Sequence, residues 1–391
     1  MKQRNLPSNP RKYSFIFTVL PALALIQCLE LKPSATADLP VLLSLLNGPQ
    51  TFYLFPDESD AGGESLGMIE AQPGPDSMNT EWVPFSAGPA NTWKAEVLDG
   101  TIFVLSQDSE DELWISRDRG QNWEIFEAPD DNESEDISHI LGCGNALILT
   151  YDTISVDEED GHPGYVSYDN GRTFQSWSAA GADEITIDGI DCNESYLYIA
   201  SADQNHLQWA PIRNLNSFST ASSHSSFYDQ YYGLVAGAQG LVGMADQNGD
   251  YYSNYSTGLP GDMQNAGSYP VSYTFHPLGA DRHAGADYIQ GRYHIGMVDT
   301  FDDLCRIYSF KSPSSNPSAA SFAAPGCEQV TEIGNIPALA GIDSRILFSY
   351  RNASGNNGSM LISQDGGQSY ELLNISEVWN DAGFIADIEV D

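Results

Sequence analysis

Three copies of one eight-residue pattern, Ser-x-Asp-x-Gly-x-x-aromatic, constrain this chain more than any other feature. They are Ser116-Arg117-Asp118-Arg119-Gly120-Gln121-Asn122-Trp123, Ser167-Tyr168-Asp169-Asn170-Gly171-Arg172-Thr173-Phe174 and Ser363-Gln364-Asp365-Gly366-Gly367-Gln368-Ser369-Tyr370. In such an octad the Asp carboxylate accepts backbone N–H groups of its own turn, and the Gly supplies the positive φ the turn demands. The aromatic then returns the chain to the core. Short alternating apolar runs flank each copy, as in Leu113-Trp114-Ile115 and Glu124-Ile125-Phe126, so each octad reads as the turn of a hairpin.

Spacing turns the repeat into an architecture. Asp118 and Asp169 lie 51 residues apart, and Asp169 and Asp365 lie 196 apart, which is four intervals of 49. A period near 50 built of short strands is that of a propeller blade. The octads resemble Asp-boxes, the bacterial neuraminidase (BNR) repeats in the β-propellers of sialidases, sortilin-type receptors, some glycanases and photosystem assembly-factor proteins. The resemblance implies an all-β fold and a structural role for the boxes, and is nearly silent about activity.

Residues 1–37 read as a secretory signal peptide and 38–391 as a single propeller domain. Lys2, Arg4, Arg11 and Lys12 make a basic start, an apolar run follows from Phe15, and Ala35-Thr36-Ala37 fits a cleavage site. Of the whole chain's 16 Lys plus Arg and 54 Asp plus Glu, the segment beyond residue 37 keeps 11 and 53, a formal charge of −42. Nothing so acidic neutralises a phosphate backbone, so nucleic acid is excluded as a partner. No membrane span is expected after cleavage. The expectation is a secreted or periplasmic bacterial protein, and a monomer.

The hydrophobic pattern divides the remainder into seven blades of four antiparallel strands. Blades 2 to 7 are read at 92–128, 136–178, 184–220, 231–262, 268–328 and 333–374. The leftover pieces are three strands near 51–55, 66–70 and 81–85 and one terminal strand at 384–388. Together they make a shared first blade that closes the ring and removes an open edge. The middle blades lack an octad, and Gln247-Asn248-Gly249-Asp250 supplies one of their turns. Four cysteines remain, Cys143, Cys192, Cys305 and Cys327. An oxidising compartment makes two disulfides plausible, and the blade scheme suggests Cys305 with Cys327 and Cys143 with Cys192.

Acidic runs cluster by topology. Residues 107–112 (with Asp108, Glu110 and Asp111), 152–160 (with Asp157, Glu158 and Asp160) and 299–303 fall between second and third strands; 130–136 (with Asp131, Glu133 and Asp136) is a crossover. All would share the face opposite the octads and give it a dense negative field. Carboxylate clusters suit Ca²⁺, although no run matches an EF-hand loop, and no cofactor is otherwise expected. Sialidase chemistry needs convergent arginines with a Tyr-Glu pair; Arg117, Arg119 and Arg172 sit in octads on the wrong face, and no three of the rest occupy equivalent loops. His276, His283 and His294 have no tight metal-ligand spacing. Tyr228, Tyr231, Tyr232, Tyr251, Tyr252 and Tyr255 read as strand residues before they read as a sugar platform. The expected function is a non-catalytic binding or assembly scaffold for a protein or glycan ligand on the acidic face. The alternative is a glycoside hydrolase of sialidase (exo-α-sialidase) or glycanase type, with catalytic residues unassigned.

Overall fold

A computed structural model describes residues 51–56, 67–73, 78–86, 88–89, 91–92, 94–106, 109–128, 137–151, 153–154, 163–178, 185–187, 189–201, 206–220, 230–247, 250–257, 263–268, 286–299, 304–316, 322–325, 338–342, 344–351, 358–373 and 385–390. These form seven four-stranded antiparallel sheets and one two-stranded ribbon. Blade 1 carries the closure: its strands run in the order Met78–Pro84, Gly67–Pro73, Phe52–Pro56, Ile385–Val390. The last strand of the chain thus pairs with the first, Leu54 opposite Ile388, as the leftover strands predict.

Each later blade is consecutive in sequence. Their first strands are Lys94–Leu98 in blade 2, Ile137–Cys143 in blade 3, Gly189–Cys192 in blade 4, Gln230–Gly237 in blade 5, Ala286–Ile289 in blade 6 and Leu339–Ile342 in blade 7. These six and Ile385–Val390 touch one another in turn, blade 7 meeting blade 1 and blade 1 meeting blade 2. The seven-bladed ring is therefore closed around a channel lined by first strands. The core lies between blades. Phe55, Met68, Val83 and Phe85 of blade 1 pack with Ala95, Val97, Ile102 and Val104 of blade 2, and Phe103, Leu105, Leu113 and Ile115 of blade 2 pack with Ile140, Leu147 and Leu149 of blade 3. Alternation at period two sends successive residues of one strand to the blade before and the blade after.

Three boundaries differ from the sequence reading. The fourth strand of blade 5 is Gln264–Ser268, past the 231–262 read for that blade. In blade 4, read from residue 184, Ile185–Thr186 leaves the sheet to pair with Thr153–Ile154 of blade 3, so the first strand lining the channel is Gly189–Cys192. In blade 6 the apolar run 288–298 is two strands: Gln290 and Gly291 take φ 50° and 76°, and a tight turn pairs Ile289 with Arg292. In blade 5, Gln247 pairs with Asp250, which makes the connection between its second and third strands as short as expected.

The Cys143–Cys192 disulfide is present, with a Cα–Cα distance of 5.8 Å. It joins the ends of the first strands of blades 3 and 4. Cys327 and the Cys305 side chain lie outside the described residues.

Candidate functional site

The three octads fold into one turn, repeated in its hydrogen bonds. Ser116 Oγ accepts the Gly120 N–H at 2.8 Å and donates to Asp118 Oδ1 at 3.0 Å. Ser167 does the same for Gly171 and Asp169 at 2.9 Å each, and Ser363 for Gly367 at 2.8 Å and Asp365 at 2.9 Å. The carboxylate next accepts an N–H four residues on, from Asn122, Thr173 or Ser369. Side-chain and backbone donors from Thr173 hold the Asp169 carboxyl down at about 2. At Asp365 desolvation opposes the shift, yet Ser369 and Ser363 bring it to about 2 as well. Such carboxylates are saturated with donors and act as turn anchors.

Each turn also grips the preceding blade. A Cβ on Gly120 would collide with Phe85, one on Gly171 with Phe103 and one on Gly367 with Ser309. Trp123 sits edge-on to Phe85 at 4.8 Å, and Phe174 stacks on Phe126 at 4.1 Å. Arg119 pairs with Glu70 of blade 1. Arg117 pairs with Glu124 and donates to the carbonyls of Asn170 and Gly171 in the next octad, at 3.2 and 3.0 Å.

The described cations gather on one face. The described cationic side chains other than Lys94 are Arg117, Arg119, Arg172, Arg213, Arg292, Lys311 and Arg345. All seven belong to octads, to connections between third and fourth strands, or to the first residue of a second strand, hence to the octad face. Arg292 donates to the Ser309 carbonyl at 3.1 Å. The sialidase reading required arginines on the opposite face, and three of its candidates, Arg282 and the side chains of Arg306 and Arg351, lie outside the described residues. Of the acidic residues singled out for that face, Asp108, Asp131, Glu133, Asp136, Asp157, Glu158 and Asp160 lie outside the described residues, and Glu110 and Asp111 are described only as backbone of Ser109–Ser116.

The sequence reading missed the channel. The inner strands carry Asp387 and Glu389 in blade 1, Glu96 in blade 2, Asp191 in blade 4 and Asp287 in blade 6. A first strand has an unpaired edge facing the axis, and its N–H groups need acceptors. The carboxylates supply them across blades: Asp387 Oδ2 accepts the Ala95 N–H at 3.0 Å, Glu96 Oε2 that of Gly142 at 2.5 Å, and Asp191 Oδ2 that of Ala236 at 2.7 Å. Each also accepts the N–H of the next residue in its own strand, as does Asp287 from Tyr288. The signal was an acid between two apolar residues, in Ala-Glu-Val, Ile-Asp-Cys, Ala-Asp-Tyr and Ala-Asp-Ile. Glu96, Asp191, Asp287 and Asp387 recur at intervals of 95, 96 and 100 residues, two blades each.

Burial pushes these groups up. Glu96 rises to about 7, chiefly by desolvation, with Gly142 N–H opposing and Asp387 adding repulsion. Asp191 rises to about 8 and Asp287 to about 6, again by desolvation first. Glu389 is pushed well above the carboxylate range by burial and by Glu96, Asp387 and Asp287, and it hydrogen-bonds Glu96. Among the described residues no three His, Cys, Asp or Glu side chains stand together in a metal-holding group. His294 is buried, its Nδ1 lies 2.7 Å from Ser309 Oγ, and desolvation lowers it to about 4, which keeps it neutral within blade 6. His276 and His283 lie outside the described residues, as does Tyr228; Tyr231, Tyr232, Tyr251, Tyr252 and Tyr255 are strand residues of blade 5.

The chain matches no protein-family model and no curated protein. Among solved structures it is similar to a 6-phosphogluconolactonase-like protein from Bacteroides uniformis, with TM-score 0.53 and 10% identity over 88% of this chain and 100% of that one. It is also similar to apo AztD from Citrobacter koseri, with TM-score 0.47 and 9% identity over 88% and 98% of the two chains. A third is YCF48 bound to D1 peptide, with TM-score 0.46 and 11% identity over 73% and 82%. At these identities the likeness is one of fold, the β-propeller.

Proposed function

We propose that this chain is an exported β-propeller that works as a non-catalytic binding or assembly scaffold, holding a protein or glycan ligand on the face opposite the octads. The observation that carries this reading is the gathering of the described cations on the octad face. Seven described cations belong to the octad face, and the sequence reading assigns the acidic runs 107–112, 130–136, 152–160 and 299–303 to the other side. A predominantly acidic rim on a rigid ring steers and orients a cationic partner. The partner class best matched to it is a Lys/Arg-rich protein segment, or a glycan bound through its hydroxyl groups.

The octads support membership of the Asp-box propellers, and the saturated Asp118, Asp169 and Asp365 fit the structural use of the box in that group. The Cys143–Cys192 bridge supports residence in an oxidising compartment, the periplasm or the exterior of a bacterium. No helix among the described residues is long and apolar enough to cross a membrane. The scaffold reading calls for no cofactor.

The test pairs binding with turnover, using chain that begins after residue 37. A Lys/Arg-rich peptide and an Asp/Glu-rich one of equal length are titrated at about 0.05 M and about 0.5 M salt, which shortens the screening length about threefold. Binding of the basic peptide alone, weakened at high salt, is the expected result. Equal binding of both peptides, or hydrolysis of any member of a sialoside and glycan panel, overturns the proposal.

A further inference from the structure

The carboxylates of the channel follow a rule that an odd ring cannot satisfy. In blades 2, 4 and 6 a first-strand acid reaches toward the next blade, and blades 3 and 5 answer with the N–H of a small residue, Gly142 or Ala236. Blade 7 offers Leu-Ala-Gly-Ile after Asp287. The small residues are required: a Cβ on Gly142 would run into Glu96. With seven blades, strict alternation of acid and small residue must fail once. It fails between blades 1 and 2, where Asp387 and Glu389 on one first strand meet Glu96 on the next.

That junction is also where the ring is closed. Ile385–Val390 joins the chain's end to Phe52–Pro56 by pairing and rests on the first strands of blades 2 and 7. Asp387 is engaged by the Ala95 N–H. Glu389, two residues on and hence on the same side of the strand, meets Glu96. Carboxylates only accept hydrogen bonds, so a bond between two carboxyl groups requires one proton.

We propose that the Glu96–Glu389 pair is a proton-operated latch on ring closure: one shared proton fastens the C-terminal strand to blade 2, and its loss loosens that strand from the ring. Without the proton, two carboxylates face each other beside Asp387, with Asp287 of blade 6 adding to the repulsion. The basic groups at the junction are Lys94, two residues before Glu96, and His139 of blade 3, whose Nδ1 lies 3.1 Å from Lys94 Nζ. Tyr53 sits on the paired strand of blade 1, and Arg345 begins the blade 7 strand packed against Ile385–Val390. The first strand of blade 7 contributes no titratable side chain. Because burial raises both carboxyls in the folded state, the latch is fully fastened below their ordinary value near 4.5 and weakens as pH rises through about 7, where Glu96 loses its proton, until Glu389, raised well above 4.5, loses its own.

The experiment is amide hydrogen exchange on the full chain from about pH 5 to about pH 9, reading Ile385–Val390 as a ratio to Tyr196–Ser201 of blade 4 so that intrinsic pH effects cancel. The expected result is about a tenfold or greater relative loss of protection in the closing strand across this range. In Glu389→Gln the carboxamide donates to Glu96 without a shared proton, and the ratio should fall less steeply. Glu96→Gln makes the mirror-image donor and serves if the first variant does not fold. A flat ratio in the unmodified chain overturns the latch, whether or not either variant folds. So does a Gln variant whose ratio falls as steeply as that of the unmodified chain.

Discussion

Gly171 and Gly366 have nearly the same backbone, φ 69° and 70°, but different surroundings. A Cβ at Gly171 meets the Phe103 ring of the preceding blade, while one at Gly366 meets nothing within 4 Å. Gly366→Ala should therefore cost only the left-handed penalty, about 1 kcal/mol. Gly171→Ala adds steric overlap in a packed junction and should cost about 2 to 4 kcal/mol. Urea unfolding of the two variants side by side measures the difference, and equal losses would show that the octad does not grip its neighbour. The carboxylates of the same turns give a second check. Asp169 is held at about 2, so its contribution is present above the ordinary value near 3.8 and is lost as pH falls through about 2. Asp169→Asn should be less stable at neutral pH and should lose part of the acid dependence shown by the unmodified chain. The octads were readable because turn chemistry is local: Ser, Asp and Gly act within five residues of one another. Glu96, Asp191, Asp287 and Asp387 were not picked out from 54 acidic residues, because their partners, where they reach across blades, lie 45 to 292 residues away.

Among elements, the first strands do two tasks at once. One side of each packs into the core behind it, as Ile190 and Cys192 do against blade 3. The other side presents acid or small residues to the blade ahead. The Cys143–Cys192 bridge ties two of these strands across 49 residues. On the chain-entropy account, closing a loop of that size stabilises by about 4 kcal/mol. Reduction, or Cys143→Ser with Cys192→Ser, should lower the urea midpoint accordingly, and an unchanged midpoint would mean that the blade 3 and blade 4 junction holds without it. Asn193, which begins one Asn-x-Ser sequon, is used in the adjoining turn: its Oδ1 accepts the N–H groups of Ser195 and Tyr196 at 2.9 and 3.0 Å. Blade 6 shows why strand limits were less legible than strand existence. Its run 288–298 is apolar enough to pass for one strand, and only the Gln290-Gly291 pair marks the turn. The broken start of blade 4 had no local mark, since Ile185–Thr186 is drawn off by pairing with a loop of another blade.

At the scale of the whole molecule, stability should fall with rising pH over a definite window. Asp191, Glu96 and Asp287 are raised by burial to about 8, 7 and 6. The folded state therefore keeps protons that the unfolded chain gives up from about pH 4 onward, and stability declines until pH passes each folded value. Urea midpoints should be higher at about pH 5 than at about pH 8, and Asp191→Asn should flatten part of the slope. A midpoint that rises across this window would contradict the burial of the channel acids. Deleting the closing strand from residue 385 onward exposes an edge of Phe52–Pro56 and leaves blade 1 with three strands. Loss of a cooperative unfolding transition and self-association on gel filtration are the expected outcome.

The amino-acid sequence alone determined the repeat, the number of blades and the sharing of one blade between the two ends. These follow from hydrophobic alternation and turn chemistry, which act over a few residues, and from a period that can be counted. The tertiary structure alone decided which acids line the channel, which neighbouring blade each one reaches, and where an odd ring forces two of them together. Those outcomes depend on groups far apart in the chain, and on how many blades complete the circle before like meets like.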